Sequence, residues 1–259
     1  MTRADVDVEP RYDFSGLGFQ VGESAVVSGA ASGIGRSVAG ILVRSGVSVL
    51  AWDIDEAGLA RVAEELAGEK GTVACQRVDT SDEADIAAAW TRTAGVEVQY
   101  LVNNAGPPSG TQMPVAHGVR EAIGGYAAMT DHYLGMHAGE ASSIVFTAST
   151  AGNLYVAATP DWYPAAKAGI VGYSRHLAVK LRGRPRSNAV APGVTVTART
   201  AAAFASPAMR ERLAKYPMGR AGRAWEVATA ICFLLSPAAS FVNGILLPVE
   251  GASTWSSNS

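Results

Sequence analysis

Residues Ala25 to Gly46 read AVVSGAASGIGRSVAGILVRSG, and the fold follows from that stretch. Ala25, Val26 and Val27 form a short apolar run without polar alternation, the pattern of a strand covered on both faces. Gly29, Gly33 and Gly35 punctuate a tight turn; beyond it Ile34, Val38, Ile41 and Leu42 recur at helical spacing, and Gly46 is placed to end the helix. A strand, a glycine turn and a helix in that order aim backbone N–H groups and a positive helix end at one point, which suits a pyrophosphate. A side chain at Gly33 or Gly35 would hold the helix away from both the strand and such a ligand. The competing reading, a glycine-rich turn that holds nothing, is weakened only by the rest of the chain.

Working outward, Val47–Trp52 is a second buried strand that ends at Asp53, and Asp55 is placed to cap a helix carrying Leu59, Val62 and Leu66. Thr72–Val78 is a third strand followed by Asp79, and Thr80 with Glu83 makes a capping box for a helix over 82–93. A fourth strand starts at Tyr100 and runs into Asn103–Gly106. Ser143–Ala148 is a fifth, Ala165–Leu181 a long helix, Asn188–Ala191 the end of a sixth strand, and Gly244–Pro248 a seventh. Strands alternating with helices throughout imply an α/β chain with a single doubly wound parallel sheet (a Rossmann fold), about seven strands with helices on both faces. Residues 1–22 lack periodicity and read as an N-terminal arm, leaving 23–259 as one domain.

With 48% of its 259 residues hydrophobic, the chain can bury a large core. A net charge of −2 offers no electrostatic footprint for nucleic acid or an anionic membrane. Cys75 and Cys232 both lie in apolar stretches and read as core residues of a reducing compartment. The first residues lack the apolar region of a signal peptide, and the longest apolar run, Val227–Leu235, is too short to span a bilayer. A cytoplasmic protein is the expectation. His117, His132, His137 and His176 show no metal-ligand spacing, and no Gly-x-Ser-x-Gly elbow supports a serine hydrolase.

Tyr163 and Lys167 stand four residues apart at the start of the long helix, so they share one face. A tyrosine with a pKa near 10 is a poor acid–base group at neutral pH unless its phenolate is stabilised. Lowering that value by ~2–3 units takes roughly 3–4 kcal/mol, about what one ammonium at ~4 Å supplies at an effective dielectric near 20. Lys167 can supply the charge, and Ser149, ending the fifth strand, is placed to hydrogen-bond a substrate oxygen. Alone, Tyr-x-x-x-Lys is a common surface pair. Here it joins polar and glycine clusters at Gly29–Gly35, Asp53, Asp79, Asn103–Gly106 and Pro192-Gly193, all at carboxyl ends of strands, where such sheets bind ligands.

On these residues the chain resembles the short-chain dehydrogenase/reductase family over 14–251. The family's glycine motif is met by Gly29, Gly33, Ile34 and Gly35, with Ser28 where a threonine is usual. Its Asn-Asn-Ala-Gly is Asn103–Gly106, and its Ser, Tyr and Lys map onto Ser149, Tyr163 and Lys167; the gap of 14 residues from serine to tyrosine is one longer than usual. Residues 217–228 and 247–251 also resemble the family's last third. The resemblance implies that Ser149, Tyr163 and Lys167 are catalytic. It implies a nicotinamide dinucleotide held by Ser28, Gly29, Ser32, Gly33, Ile34, Gly35, Asp53, Asp79, Asn104, Ala105 and Gly106, by Pro192, Gly193 and Thr197, and by Tyr163 and Lys167 themselves. Thr197 would contact the nicotinamide amide, and Lys167 would also bind ribose hydroxyls. NAD is expected over NADP, because Asp53 lies about twenty residues past the glycine turn, where a carboxylate accepts ribose hydroxyls and repels a 2′-phosphate. Neither Ala30-Ala31-Ser32 nor Ile54 offers a compensating cation, and Asp79 is expected beside the adenine. The family also implies a homotetramer or homodimer, assembled through the helix at 165–181 and the C-terminal strand.

One departure stands out. The family usually has an asparagine in the helix after the fourth strand, which holds a water in a proton relay behind the lysine. Here that position falls at Ala122, and no asparagine occurs between Asn104 and Asn153. Water, or a backbone carbonyl freed by the Gly124-Gly125 pair, is the expected replacement. Two readings therefore stand: an NAD-dependent oxidoreductase interconverting a secondary alcohol and a ketone, or an NAD-binding regulatory or scaffold protein with degenerate catalysis. Segments 152–162 and 198–216 are apolar and low in charge, which suits a small uncharged alcohol or ketone. Trp162 lines that pocket or packs beneath it, and Arg182, Arg184 and Arg186 read as a solvated loop.

Overall fold

A computed structural model describes residues 10–136, 142–154, 159–198, 200–204 and 206–254. Seven parallel strands form one sheet: β1 (Ser24–Ser28), β2 (Ser48–Asp53), β3 (Val73–Arg77), β4 (Tyr100–Asn103), β5 (Ser143–Thr147), β6 (Arg186–Pro192) and β9 (Leu246–Val249). Between the last two lies a small parallel pair, β7 (Thr195–Val196) with β8 (Gly222–Arg223). The main sheet runs β3-β2-β1-β4-β5-β6-β9, with every pairing parallel. The chain winds outward from β1 to β3, then crosses back to lay β4 against the other side of β1. The carboxyl ends of β1 and β4 thus flank the reversal, where a crevice opens in folds of this kind.

Side chains alternate along each strand and supply two cores. On one face Ala25, Val27, Val49, Ala51, Val102, Val145 and Val190 pack under α1 (Gly33–Arg44), α2 (Glu56–Glu65) and α8 (Ala224–Leu235). On the other, Val26, Trp52, Leu101, Ile144 and Phe146 pack under α3 (Glu83–Thr91), α4 (Val115–Met136) and α5 (Trp162–Lys180). Each fully buried aliphatic or aromatic side chain contributes about 1.5–3 kcal/mol. The arm residues Tyr12, Phe14 and Phe19 lie on the first core, Tyr12 tilted on Trp225 at 5.5 Å and Phe19 edge-on to Tyr100 at 5.4 Å. The expected arm residues 1–9 lie outside the described residues.

Several boundaries and roles differ from the sequence-based expectation. The long helix starts at Trp162, three residues before Ala165, because Pro164 falls in its first turn, where an N–H has no intrahelical partner to lose. Asp82, not Thr80, caps α3, its carboxylate accepting from Ala84 N at 2.9 Å. Asp55 caps α2 as expected, accepting from Gly58 N at 2.9 Å. Cys75 is exposed rather than core, since β3 is an edge strand, and its thiol rests on Leu59 O at 3.3 Å. Cys232 is buried as expected.

Arg186 is the largest correction. It is 8% exposed, and its guanidinium donates to Leu234 O at 2.8 Å, Leu235 O at 2.9 Å, Ser236 O at 3.0 Å and Val242 O at 3.2 Å. It satisfies the last carbonyls of α8 and sits at the negative end of that helix. Helices α6 (Ala201–Phe204) and α7 (Pro207–Ala214) occupy the segment the sequence left without elements.

Candidate active site

The site is assembled where β1, β4 and β5 end. Ser28 Oγ donates to Val102 O at 3.1 Å and accepts from Asn104 N at 3.0 Å and Ala105 N at 3.1 Å. Asn104 Nδ2 reaches Ser28 O at 3.2 Å and Gly29 O at 3.4 Å. The turn after β4 is therefore bonded to the glycine turn through main-chain groups on both sides. Two glycines are required for that approach. A Cβ on Gly35 would lie 2.1 Å from Gly29 O, and Gly33 has φ +55, a left-handed conformation that side chains disfavour. A Cβ at Gly33 would also meet the Thr197 methyl at 3.1 Å, so the segment after β7 lies against the same turn.

Ser32 is the N-cap of α1 but makes no side-chain bond to its first turn, which also holds no acidic residue. Ile34 packs against the first core. Asp53 Oδ2 accepts from Ala31 N at 2.9 Å and Oδ1 from Asp55 N at 3.0 Å, which fixes the carboxylate beside the turn. Asp79 stands apart from that network. Its carboxylate accepts from Ser81 Oγ at 2.7 Å and Ser81 N at 2.9 Å, and these bonds hold its pKa below the ordinary carboxylate range. Gly106 faces open space, with nothing within 4 Å of a Cβ built there. At the end of β6, Pro192 O accepts from Thr150 N at 3.1 Å, and Gly193 N donates to Val249 O at 3.0 Å.

The second half of the site comes from β5 and α5. Thr147 Oγ1 donates to Asn104 Oδ1 at 3.2 Å, and Thr147 O accepts from Lys167 Nζ at 2.8 Å. One chain of bonds thus runs from the glycine turn through Asn104 and Thr147 to the lysine. Tyr163 lies one helical turn before Lys167, whose Nζ is 5.8 Å from the centre of the Tyr163 ring. Ser149 is 7% exposed, and its hydroxyl oxygen accepts from Ala151 N at 3.1 Å.

Four residues that sequence reasoning did not assign shape this half. Asn153 Nδ2 donates to Ser149 O at 2.9 Å and to Lys167 O at 3.1 Å, clamping the serine and lysine backbones together. Thr147 joins the two halves. Tyr126 places its hydroxyl 3.4 Å from Thr147 O and its ring 5.5 Å from Lys167 Nζ. Trp162, left open between pocket and packing, packs: it is 1% exposed, stands edge-on to Tyr163 at 5.4 Å, and donates to Thr111 O at 2.8 Å. A Cβ on Gly118 would come within 2.4 Å of its indole, so that glycine makes room for it. Tyr126 had one available sequence signal, being a helical turn beyond Ala122 on the same face.

Ala122 is buried against Trp162 and Ala166. The Gly124-Gly125 pair does not interrupt α4, which runs unbroken through it; Gly125 instead lets the helix approach Thr80 O, 2.3 Å from a Cβ built there. Among the described residues no cluster of His, Cys, Asp or Glu could hold a metal ion, and no helix is long and apolar enough to cross a membrane.

A family model described as Enoyl-(Acyl carrier protein) reductase matches residues 29–254. The cis-4-hydroxycyclohexanecarboxylate dehydrogenase of Sinomonas cyclohexanicum is 35% identical over 240 residues, covering 89% of this chain and 96% of that protein. The cyclohexanol dehydrogenase of Acinetobacter sp. (strain SE19) is 32% identical, covering 89% and 94%. Among solved structures, a putative NAD(P) dependent gluconate 5-dehydrogenase from Beutenbergia cavernae, crystallised with bound NADP at low occupancy, superposes with a TM-score of 0.79 at 32% identity, covering 90% of this chain and 96% of the other.

Proposed function

Since the chain belongs to the short-chain dehydrogenase/reductase family, we propose that it is an NAD(H)-dependent enzyme interconverting a secondary alcohol and a ketone, with Tyr163 as acid–base residue. The observation that carries this reading is Lys167 Nζ, held by Thr147 O at 2.8 Å beside the Tyr163 ring and bonded through Asn104 to the glycine turn. One network thus ties a proton-transferring phenol to a turn suited to a dinucleotide.

The residues present fit a nicotinamide dinucleotide. The uncapped first turn of α1 and the Cβ-free approach at Gly33 and Gly35 suit its pyrophosphate, and the fixed carboxylate of Asp53 suits two ribose hydroxyls. Ser28, Ser32, Ile34, Asn104, Ala105, Gly106, Asp79, Pro192, Gly193 and Thr197 complete the cradle. When bound, the cofactor supplies the acceptor for the hydride that leaves the carbinol carbon. In oxidation Ser149, whose oxygen takes the Ala151 amide, points its own hydrogen to the substrate oxygen. The phenolate oxygen of Tyr163 takes the hydroxyl proton as the carbon–oxygen double bond forms. The Lys167 ammonium favours the phenolate over the phenol, and reduction runs the same proton transfer in reverse. Trp162, perpendicular to the Tyr163 ring at 5.4 Å, packs against the ring that does this.

Both named relatives are called dehydrogenases of ring alcohols, one of which carries a carboxylate. Small cyclic alcohols are therefore the first substrates to test, the uncharged one ahead of the carboxylate because of the low charge read in the sequence. Cyclohexanol oxidation should proceed with NAD⁺, and Tyr163→Phe should lower kcat by ~10²–10⁴-fold while the cofactor still binds. A protein that binds NAD⁺ but turns over no alcohol or ketone in a broad screen is a binding protein, the alternative raised by Ala122. Better kcat/KM with NADP⁺ would overturn the cofactor assignment.

A homotetramer or homodimer belongs to the same reading. Asn243 Nδ2 bonded to Ala178 O at 3.1 Å brings the 241–245 loop to the end of α5, where Val179, Phe241 and Ile245 are exposed. A stable monomer in sedimentation at micromolar concentration would overturn that part. The cytoplasmic assignment rests on composition, including two free thiols.

A further inference from the structure

We propose that Tyr126 is the positioning residue for Lys167, fixing where the ammonium sits and, through it, the ionisation of Tyr163. The inference rests on the catalytic reading above and deepens it. A lysine ammonium is a compact charge on a flexible four-carbon stem, so its effect on a neighbouring phenol depends on what holds it. Here Nζ lies near two tyrosine rings, 5.5 Å from the centre of Tyr126 and 5.8 Å from that of Tyr163. Both distances are within reach of cation–π attraction, which strengthens where water is excluded. Tyr126 is 2% exposed.

The hydroxyl of Tyr126 adds a second constraint. It donates to Thr147 O at 3.4 Å, the carbonyl that also accepts from Lys167 Nζ at 2.8 Å. A carbonyl oxygen offers two lone pairs, and the phenol, at the long end of hydrogen-bond distance from one side, biases the lysine toward the other. Tyr126 itself is pinned from behind. Thr130 Oγ1 donates to Tyr126 O at 2.7 Å, Asn103 Nδ2 donates to Thr130 Oγ1 at 3.1 Å, and the ring leans on Phe146 at 6.0 Å. Ala122, one turn earlier, carries only a methyl group and is buried against Trp162 and Ala166. The lysine is thus steadied from the turn of α4 after the one in which the resemblance placed an asparagine.

Of the titratable groups on α4 and α5, Tyr126 and Tyr163 are those whose rings come within 6 Å of Lys167 Nζ among the described residues. β5 and the turns beyond β4 and β5 bring the uncharged Thr147, Asn104 and Ser149. Elsewhere on α4, Glu121 pairs with His117 at 2.8 Å before Tyr126, and beyond it the charge of Asp131 acts on Tyr173.

The test follows alcohol oxidation with NAD⁺ against pH in wild type, Tyr126→Phe and Tyr126→Leu. In parallel, the phenolate ultraviolet absorbance of each protein without cofactor is titrated against its own Tyr163→Phe partner, which isolates Tyr163. A loosened ammonium stabilises the phenolate less, so the rising limb of the rate profile should move to higher pH. The expected move is about half a unit in Tyr126→Phe, which keeps the ring, and about one unit in Tyr126→Leu, which loses it. kcat should fall in the same order while KM for the alcohol stays steady, and the absorbance titration should move with the rate limb. A limb and a titration that stay put in both variants would overturn the assignment, whatever happens to Tm. A wild type without turnover defeats the catalytic reading instead, and the absorbance titration then decides the role of Tyr126 by itself.

Discussion

The two faces of the sheet are built from different materials. Under α1, α2 and α8 the buried core is almost wholly valine, leucine, isoleucine and alanine, with Phe19 and Tyr100 as its buried aromatic members and Tyr12 and Phe14 packed at its margin. Under α3, α4 and α5 it is a run of rings: Trp52 on Trp90 at 5.0 Å, Trp90 on Tyr133 at 6.1 Å, Tyr126 on Phe146 at 6.0 Å, and Phe146 on Tyr173 at 5.7 Å. The difference matches what each face presents at the crevice. Small aliphatic side chains let α1 and the glycine turn come close to neighbouring main chain, so that side offers backbone N–H groups. Rings with polar ends carry donors deep into the other side, where the hydroxyl of Tyr126 meets Thr147 O and that of Tyr133 meets Gln99 O at 2.7 Å. Burial pushes the Tyr133 phenol's pKa up, which favours the neutral donor. Under the proposed function, one face would hold the cofactor largely with its backbone, and the other would work with side chains.

The largest test of that division is Trp90→Ala. It should cost about 3–5 kcal/mol by cavity formation, roughly 6–20 °C in Tm, while kcat measured in the cold stays near wild type. A collapse of kcat without loss of stability would tie the ring stack directly to the chemistry and break the division. Gly35→Ala comes next, on the aliphatic face. The clash with Gly29 O should cost about 2–3 kcal/mol of stability and abolish cofactor binding in a calorimetric titration. Retained binding would mean the turn is not the cradle. Asp53→Ala removes an anionic hydrogen-bond acceptor, worth about 1.5–2 kcal/mol to ribose hydroxyls, so the ratio of kcat/KM for NAD⁺ over NADP⁺ should fall at least tenfold.

The smallest effect concerns the start of α8. Glu226 is held below the ordinary carboxylate range first by its bond from Arg220, at 2.6 Å, and also by the amide of Arg223, while burial opposes both. A depressed folded-state value contributes stability that is complete above the unfolded carboxylate's range and lost as pH falls through the folded value. Glu226→Gln should therefore lower stability by about 1 kcal/mol at neutral pH, roughly 2–4 °C in Tm. Thermal melts should show the gap to wild type closing in the acid range. A gap that widens in acid would reverse the sign assigned to this carboxylate.

The aliphatic face was largely legible in the sequence because its signals are local. A three-residue apolar run, a glycine turn and a helical stripe occupy neighbouring positions, and parallel order follows from their alternation along the chain. The working face was legible only where its residues share a helix turn, as Tyr163 and Lys167 do. Asn153 and Thr147 act by bonding main chain that is remote in sequence, and nothing in their immediate neighbours announces it. Arg186 was misread for the same reason: the carbonyls that bury it lie about fifty residues downstream. Cys75 was misread because an apolar neighbourhood does not tell an edge strand from a central one. Tyr126 was hidden by a search for an amide where the fold supplies a phenol.

The clamp made by Asn153 has a consequence for how such a protein could diversify. One side-chain amide holds the backbones of Ser149 and Lys167 in a fixed relation. The relation between serine and lysine is therefore set by bonds from residue 153, not only by the chain that follows it. Under the proposed function, substitutions within residues 154–160 would alter substrate preference while Asn153 keeps the serine and lysine backbones in register.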